Sequence, residues 1–199
     1  MKQNDLSFFY SWFHSFIKSY YSKDSYIQMN LKLKEEHTYR VCKNIVMIGR
    51  DMNLDDKQLQ IGETIALFHD IGRFKQFKRY KTFNDRRSKN HAKLSLEILK
   101  QTNVLTRLPA QEETIIYKAI LYHNLFKLPA EEEAICLFYT KLLRDADKLD
   151  IWSTIIDYYM KRHSNPNPAL ELELPDTPDY SQEFIDSIMN YKNSYMSNI

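Results

Sequence analysis

A chain of 199 residues, 43% hydrophobic and 27% charged, has room for one globular domain around a continuous core and none for a second full domain. Three glycines leave little for tight hairpins, and long proline-free stretches flank residues 109–129, so the expected fold class is all-α, a single-domain helical bundle. The net charge of +2 selects no class of partner, but nine basic residues crowd between Arg73 and Lys93 against one acid, Asp85, a local +8 that leaves −6 elsewhere.

Residues 5–21 form an aromatic-rich amphipathic pattern interrupted by Asp5, His14 and Lys18. No long apolar run or small-residue cleavage site follows, which disfavours export and membrane spanning and leads us to expect a cytoplasmic protein. Cys42 and Cys136 lie in apolar helical surroundings without metal or disulfide spacing, as buried thiols do. A second helix is expected from about Ile27 to Arg50, with His37, Val41, Ile45 and Ile48 on its apolar face. After a turn at Asn53-Leu54-Asp55, a third helix carries Leu59, Ala66 and His69 on one side and ends near Gly72.

Arg73 to Asn90 lacks clean periodicity and is expected to be a long loop with at most one turn of helix. A fourth helix starts at about Asn90 or His91, a fifth spans Ala110–Asn124 with Ile116, Ile120 and His123 on one face, and the longest runs from Ala130 to about Arg162. That last helix is entered through Pro129 and Glu131–Glu133, whose charges suit a helix N-terminus, and it aligns Leu143, Asp147, Asp150, Ile151 and Thr154 on one strip. His163–Tyr180 contains four of the six prolines and is expected to be extended. A final amphipathic helix follows, capped by Ser181, with Phe184, Ile185, Ile188 and Met189 as its docking face.

Six candidate ligands fall on helical apolar faces in the order His37, His69-Asp70, His91, His123, Asp147. Four of the six histidines in the chain thus sit where a solvated histidine would not. Buried carboxylates cost several kcal/mol unless a cation compensates them, and one metal centre would compensate Asp70 and Asp147 together. Asp150, close to the same strip, is placed to orient a ligand or a water.

This order resembles the HD superfamily of metal-dependent phosphohydrolases, whose pattern is a His, then His-Asp, then a distant Asp. Here the pattern falls on His37, His69-Asp70 and Asp147, the last within Ala146-Asp147-Lys148-Leu149. His91 and His123 resemble the extra histidines of members that hold two metals. The resemblance covers about residues 30–160. It implies that His37, His69, Asp70 and Asp147 hold a first metal and that Asp70 bridges to a second on His91 and His123. It also implies attack by metal-bound hydroxide on a phosphate ester or anhydride of a small molecule, with a nucleotide the expected substrate. The expected organisation is an N-terminal helix packed on the core over 1–25, an HD-type metal-binding domain over 26–162, and a proline-rich connection with the C-terminal helix over 163–199.

Nitrogen-rich ligation fits Fe, Mn, Co or Ni better than Mg, with one or two ions per chain. His69, Asp70 and Lys148, beside the last ligand, are the expected catalytic residues, and Arg73, Lys75, Arg79 and Arg86 the expected phosphate binders. The interleaved Phe74, Phe77, Tyr80 and Phe83 are expected to pin the basic segment to the core rather than stack a base. Two other functions share these features: a dinuclear iron oxygenase of the same superfamily, and a non-catalytic nucleotide- or nucleic-acid-binding module with a structural metal. The expected partner is a small phosphorylated substrate; the terminal helices are surfaces that could pair two copies of the chain in a homo-oligomer or cover the site's mouth, a membrane is not expected, and nucleic acid is the less favoured partner.

Overall fold

In a computed structural model of the chain, which describes residues 3–164, 166–171 and 181–190, the elements are α1 (Gln3–Lys18), α2 (Ser25–Asp51), α3 (Asp56–Phe68), α4 (Ile71–Tyr80), α5 (His91–Thr102), α6 (Ala110–Tyr122), α7 (Ala134–Lys161) and α8 (Gln182–Met189). A short 3-10 turn, Asp85–Arg87, lies between α4 and α5, and no strand occurs among the described residues. Helices α2, α3 and α7 pack on one another at the centre, α4 pairs with α5, and α6 bridges α5 to α7. Helix α1 closes one side. Its Phe9, Phe13 and Ile17 are fully buried, with ring centroids 5.5 Å apart for Phe9–Phe68 and 6.0 Å for Phe13–Phe74. Each such burial stabilises the fold by about 1.5–3 kcal/mol.

Local chemistry explains the helix boundaries. Asp24 caps α2 by accepting from the Ile27 N–H at 3.0 Å, and Asp55 and Gln58 form a reciprocal capping box on α3. Asn53 takes a left-handed φ of 58° in the turn between them. Asn90 caps α5 through the Lys93 N–H at 3.0 Å, which makes His91 the first residue of that helix.

Three expectations need correction. The basic segment opens as helix α4, because Ile71, Phe74 and Phe77 form one fully buried face toward the core while Lys78 and Arg79 are exposed; the helix ends at Lys81, whose φ is 56°. Aromatic pinning holds for Phe74, Phe77 and Phe83, all buried. Helix α7 begins at Ala134 rather than Ala130, because Glu132 is drawn onto α6, where Lys118 Nζ and the Tyr122 hydroxyl donate to it at 2.6 and 2.7 Å.

The third correction concerns the proline-rich connection, whose described part, Pro166–Glu171, is a turn fastened back onto the bundle. Asn167 is buried, its Nδ2 donates to Asn30 Oδ1 at 3.1 Å, and its N–H donates to the Tyr158 hydroxyl at 2.8 Å. Residues 172–180 and the side chains of Phe184 and Ile188 lie outside the described residues. Of the docking face expected on α8, Ile185 and Met189 are exposed. Cys42 and Cys136 are buried and free, and burial pushes the Cys42 thiol up to about 12.

Candidate metal centre

His69 and Asp70 occupy the two-residue break between α3 and α4, and this break aims both side chains into the protein. Ser95 of α5 fixes the junction: its hydroxyl accepts from the Gly72 N–H at 2.9 Å and donates to the His69 carbonyl at 2.8 Å. His37 reaches the same place from α2, His91 from the start of α5, His123 from the residue closing α6, and Asp147 from α7.

All four imidazoles are held by Nδ1. His69 Nδ1 lies 2.7 Å from the Ala66 carbonyl and His123 Nδ1 2.7 Å from the Ile120 carbonyl. A carbonyl only accepts, so both Nδ1 atoms carry the proton, and in the neutral ring Nε2 is left with a lone pair. His37 Nδ1 sits 2.6 Å from Asp150 Oδ2, and His91 Nδ1 2.7 Å from Asp85 Oδ2. Asp150 is fixed in turn by Arg40, which also donates to the Thr154 hydroxyl at 3.1 Å. Carboxylates behind imidazoles select the tautomer and raise the basicity of the inward nitrogen.

The inward atoms converge. His37 Nε2 is 3.1 Å from Asp147 Oδ1 and 3.6 Å from Asp70 Oδ2, and His69 Nε2 is 3.7 Å from each of those oxygens. On the other side of the same carboxylate, His91 Nε2 is 3.5 Å from Asp70 Oδ1 and 3.0 Å from His123 Nε2. Two buried groups result, His37/His69/Asp70 and Asp70/His91/His123, in each of which the ligand atoms lie within 4.8 Å of one another. Asp70 belongs to both. His37 Nε2 and His69 Nε2 are buried without a hydrogen-bond partner, and the facing Nε2 lone pairs of His91 and His123 repel unless a proton or a cation lies between them. Nitrogen and carboxylate donors left this way fit divalent transition metals.

Burial alone would raise the Asp70 pKa, but Lys34, His69, Arg73 and His91 together hold it well below the usual carboxylate range. Lys34 Nζ is 3.0 Å from Oδ2 and Arg73 Nε 3.4 Å from Oδ1. Burial drives His123 down to about 3, assisted by His91 and His69, and lowers His91 as well. His69 moves the other way: burial lowers it, and Asp70 and Asp147 overcome that.

These shifts predict an acid-sensitive fold in the metal-free protein. An unfolded histidine takes up a proton near pH 6.5 whereas folded His123 resists until about 3, so the unfolded state binds more protons in between and stability falls with pH across that window. His69, raised above 6.5, is protonated in both states there and does not offset the loss. The depressed carboxylates extend the loss below 3.8. Thermal melts of chelator-treated protein should show the midpoint falling steadily from pH 6.5 to 4; a flat profile would contradict the assignment of neutral His123.

The basic residues divide. Arg73 and Arg86 line a cavity of about 420 Å3 that reaches His37 and Lys34. Lys75 does not line it and pairs with Glu97 at 3.9 Å, Arg79 lies over the Tyr80 ring, and Lys148 is exposed on α7. Sequence reasoning missed Lys34, Asp85, Gln76 and Ser95. Lys34 lies three residues before His37 on the same helical face, and Asp85 is the lone acid among nine cations; either fact is a usable signal. Fully buried Gln76 donates to Asp85 Oδ1 at 2.8 Å and accepts from Arg73 at 2.8 Å, with no signal in its surroundings.

An all-helical fold that gathers four imidazoles and two carboxylates around paired, partnerless donor atoms has the makings of a metal-dependent catalyst. The HD domain family model matches residues 35–152, a span that includes all six of these residues, and the chain belongs to that family of metal-dependent hydrolases. Comparison with the curated proteins and with the solved structures gave no match.

Proposed function

We propose that this protein is a metal-dependent phosphohydrolase acting on a phosphate ester or anhydride of a small molecule. The observation that carries this reading is the convergence of three oriented Nε2 atoms on the two oxygens of Asp70, with a fourth, that of His123, in the same ligand group. In this reading His37, His69, Asp70 and Asp147 hold one cation, and Asp70, His91 and His123 hold a second. Paired cations supply an acidified water and a clamp on phosphoryl oxygens. The chain supplies the rest. Lys34 and Arg73, beside Asp70 and on the cavity wall, neutralise the phosphate, a task that Lys75, Arg79 and Lys148 are poorly placed to share.

Asp85 and Asp150 act through the histidines they hold. Asp85→Ala should weaken the second cation roughly 10–100-fold, as measured by titration calorimetry with Mn(II), with the first affected less. Equal binding by variant and wild type would remove Asp85 from this role.

Phosphate release from a panel of nucleotides, sugar phosphates and alkyl phosphates tests the whole reading. Release should require Mn, Fe, Co or Ni and stop with chelator. If the metal-loaded protein hydrolyses none of them, the reading fails; oxygen uptake by the iron-loaded protein with a polyol or phosphonate would replace it with oxygenase chemistry.

A further inference from the structure

The cavity beside the metal centre has walls of unlike chemistry. Lys34, His37 and Arg73 stand next to Asp70, with the Phe83 ring against Lys34 and Arg73. The remaining wall is formed largely by Leu33 of α2, Ile151 and Ile155 of α7, and Ala169 and Leu170 of the strap after α7. The strap is held in place by buried Asn167 and by Glu171, which accepts from the Tyr158 hydroxyl at 2.6 Å and from Arg162 Nε at 2.7 Å.

Arg86 also lines this wall, at an exposed position, and three of its other polar residues are already engaged. Thr154 Oγ1 is tied to Arg40 at 3.1 Å, Asn84 Oδ1 accepts from the Arg86 N–H at 2.9 Å, and Asp85 is bound to His91, Arg73 and Gln76. A ribose or hexose seated here would trade water for aliphatic carbon at its hydroxyls, whereas a hydrocarbon would gain by leaving water. A volume of about 420 Å3 suits a small molecule with one charged end.

We infer that the substrate's organic half is apolar: an alkyl, alkenyl or aryl phosphate, in preference to the sugar-bearing half of a nucleotide. This rests on the phosphohydrolase reading for the chemistry and on the strap and α7 wall for selectivity. The phosphate lies against Lys34 and Arg73, and the hydrocarbon runs along Ile151, Ile155 and Leu170.

Titration calorimetry of the Mn(II)-loaded full chain with methyl-, propyl- and hexylphosphonate, which resist hydrolysis, tests it. Affinity should rise by up to roughly fourfold per methylene. Ile151→Asn, at an exposed position that leaves the core intact, and Leu170→Asn on the strap should each weaken hexylphosphonate about tenfold more than methylphosphonate. Affinity independent of chain length, or ribose 5-phosphate binding more tightly than hexylphosphonate, overturns the inference. A flat series with phosphate still released from sugar phosphates overturns it and leaves the hydrolase reading standing; a steep series with no release from any ester supports the apolar site and sinks the hydrolase reading.

Discussion

Asp70→Ala should lower phosphate release at least about a thousandfold, because the one carboxylate common to both ligand groups is lost. The same change leaves Lys34 at 3.0 Å and Arg73 at 3.4 Å without the carboxylate they face, and removes it from beside His91 at 3.5 Å, His37 at 3.6 Å and His69 at 3.7 Å. Breaking a buried ionic cluster by removing one partner costs about 3–5 kcal/mol, so Asp70→Ala is also expected to melt earlier. Asp70→Asn removes the same charge but keeps the volume and an oxygen that accepts from Lys34 and Arg73, so it should lose less stability than the alanine variant. Activity should fall as far in the amide variant while circular dichroism stays native. Retention of more than a tenth of wild-type activity in folded Asp70→Asn would contradict the bridging role.

Gly72→Ala should be the most damaging single methyl group in the protein. A Cβ at this position would lie 2.4 Å from the His91 carbonyl oxygen, 2.6 Å from the Ser95 nitrogen and 2.8 Å from Leu94 Cβ. Two of these are backbone atoms of α5, so α4 and α5 must part. Overpacking of this kind costs about 3 kcal/mol, which for a chain of this length is a loss of roughly 6–12 °C in Tm. His91 moves with α5, so affinity for the second cation should fall too. Gly62→Ala is the matched control: its Cβ would meet Ile45 and Leu142 side chains at 3.7–3.8 Å, ordinary contact, in the interior of α3. There the better helix former should be neutral or stabilising by up to about 1 kcal/mol. Equal melting points for the two variants would mean that the α4–α5 approach is looser than described.

Periodicity places two of the ligand candidates on buried faces: His37 shares a face with Val41 and Ile45, and His123 with Ile116 and Ile120. All of these are buried. The basic segment was not legible because its charges hide a short helix whose inner face is only Ile71, Phe74 and Phe77. The same hidden period decides where the cations of this segment lie. On a helix advancing about 100° per residue, Arg73 can face Asp70 while Lys75, two positions later, is carried round toward α5 and Glu97. Asp150, on the strip of Asp147, backs His37, while Asp85, which backs His91, shows in the sequence only as a lone acid among cations. The strap escaped notice because prolines gave it no period, and its position depends on one buried amide, Asn167, meeting another, Asn30, from far along the chain.

The most direct measurement is metal stoichiometry by elemental analysis of protein saturated with Mn(II) and freed of excess. Two ions per chain are expected in the wild type and one in His123→Ala, whose altered residue belongs to only one of the ligand groups. Less than one ion in the wild type, or two in both proteins, would contradict a centre built from two sites that share Asp70.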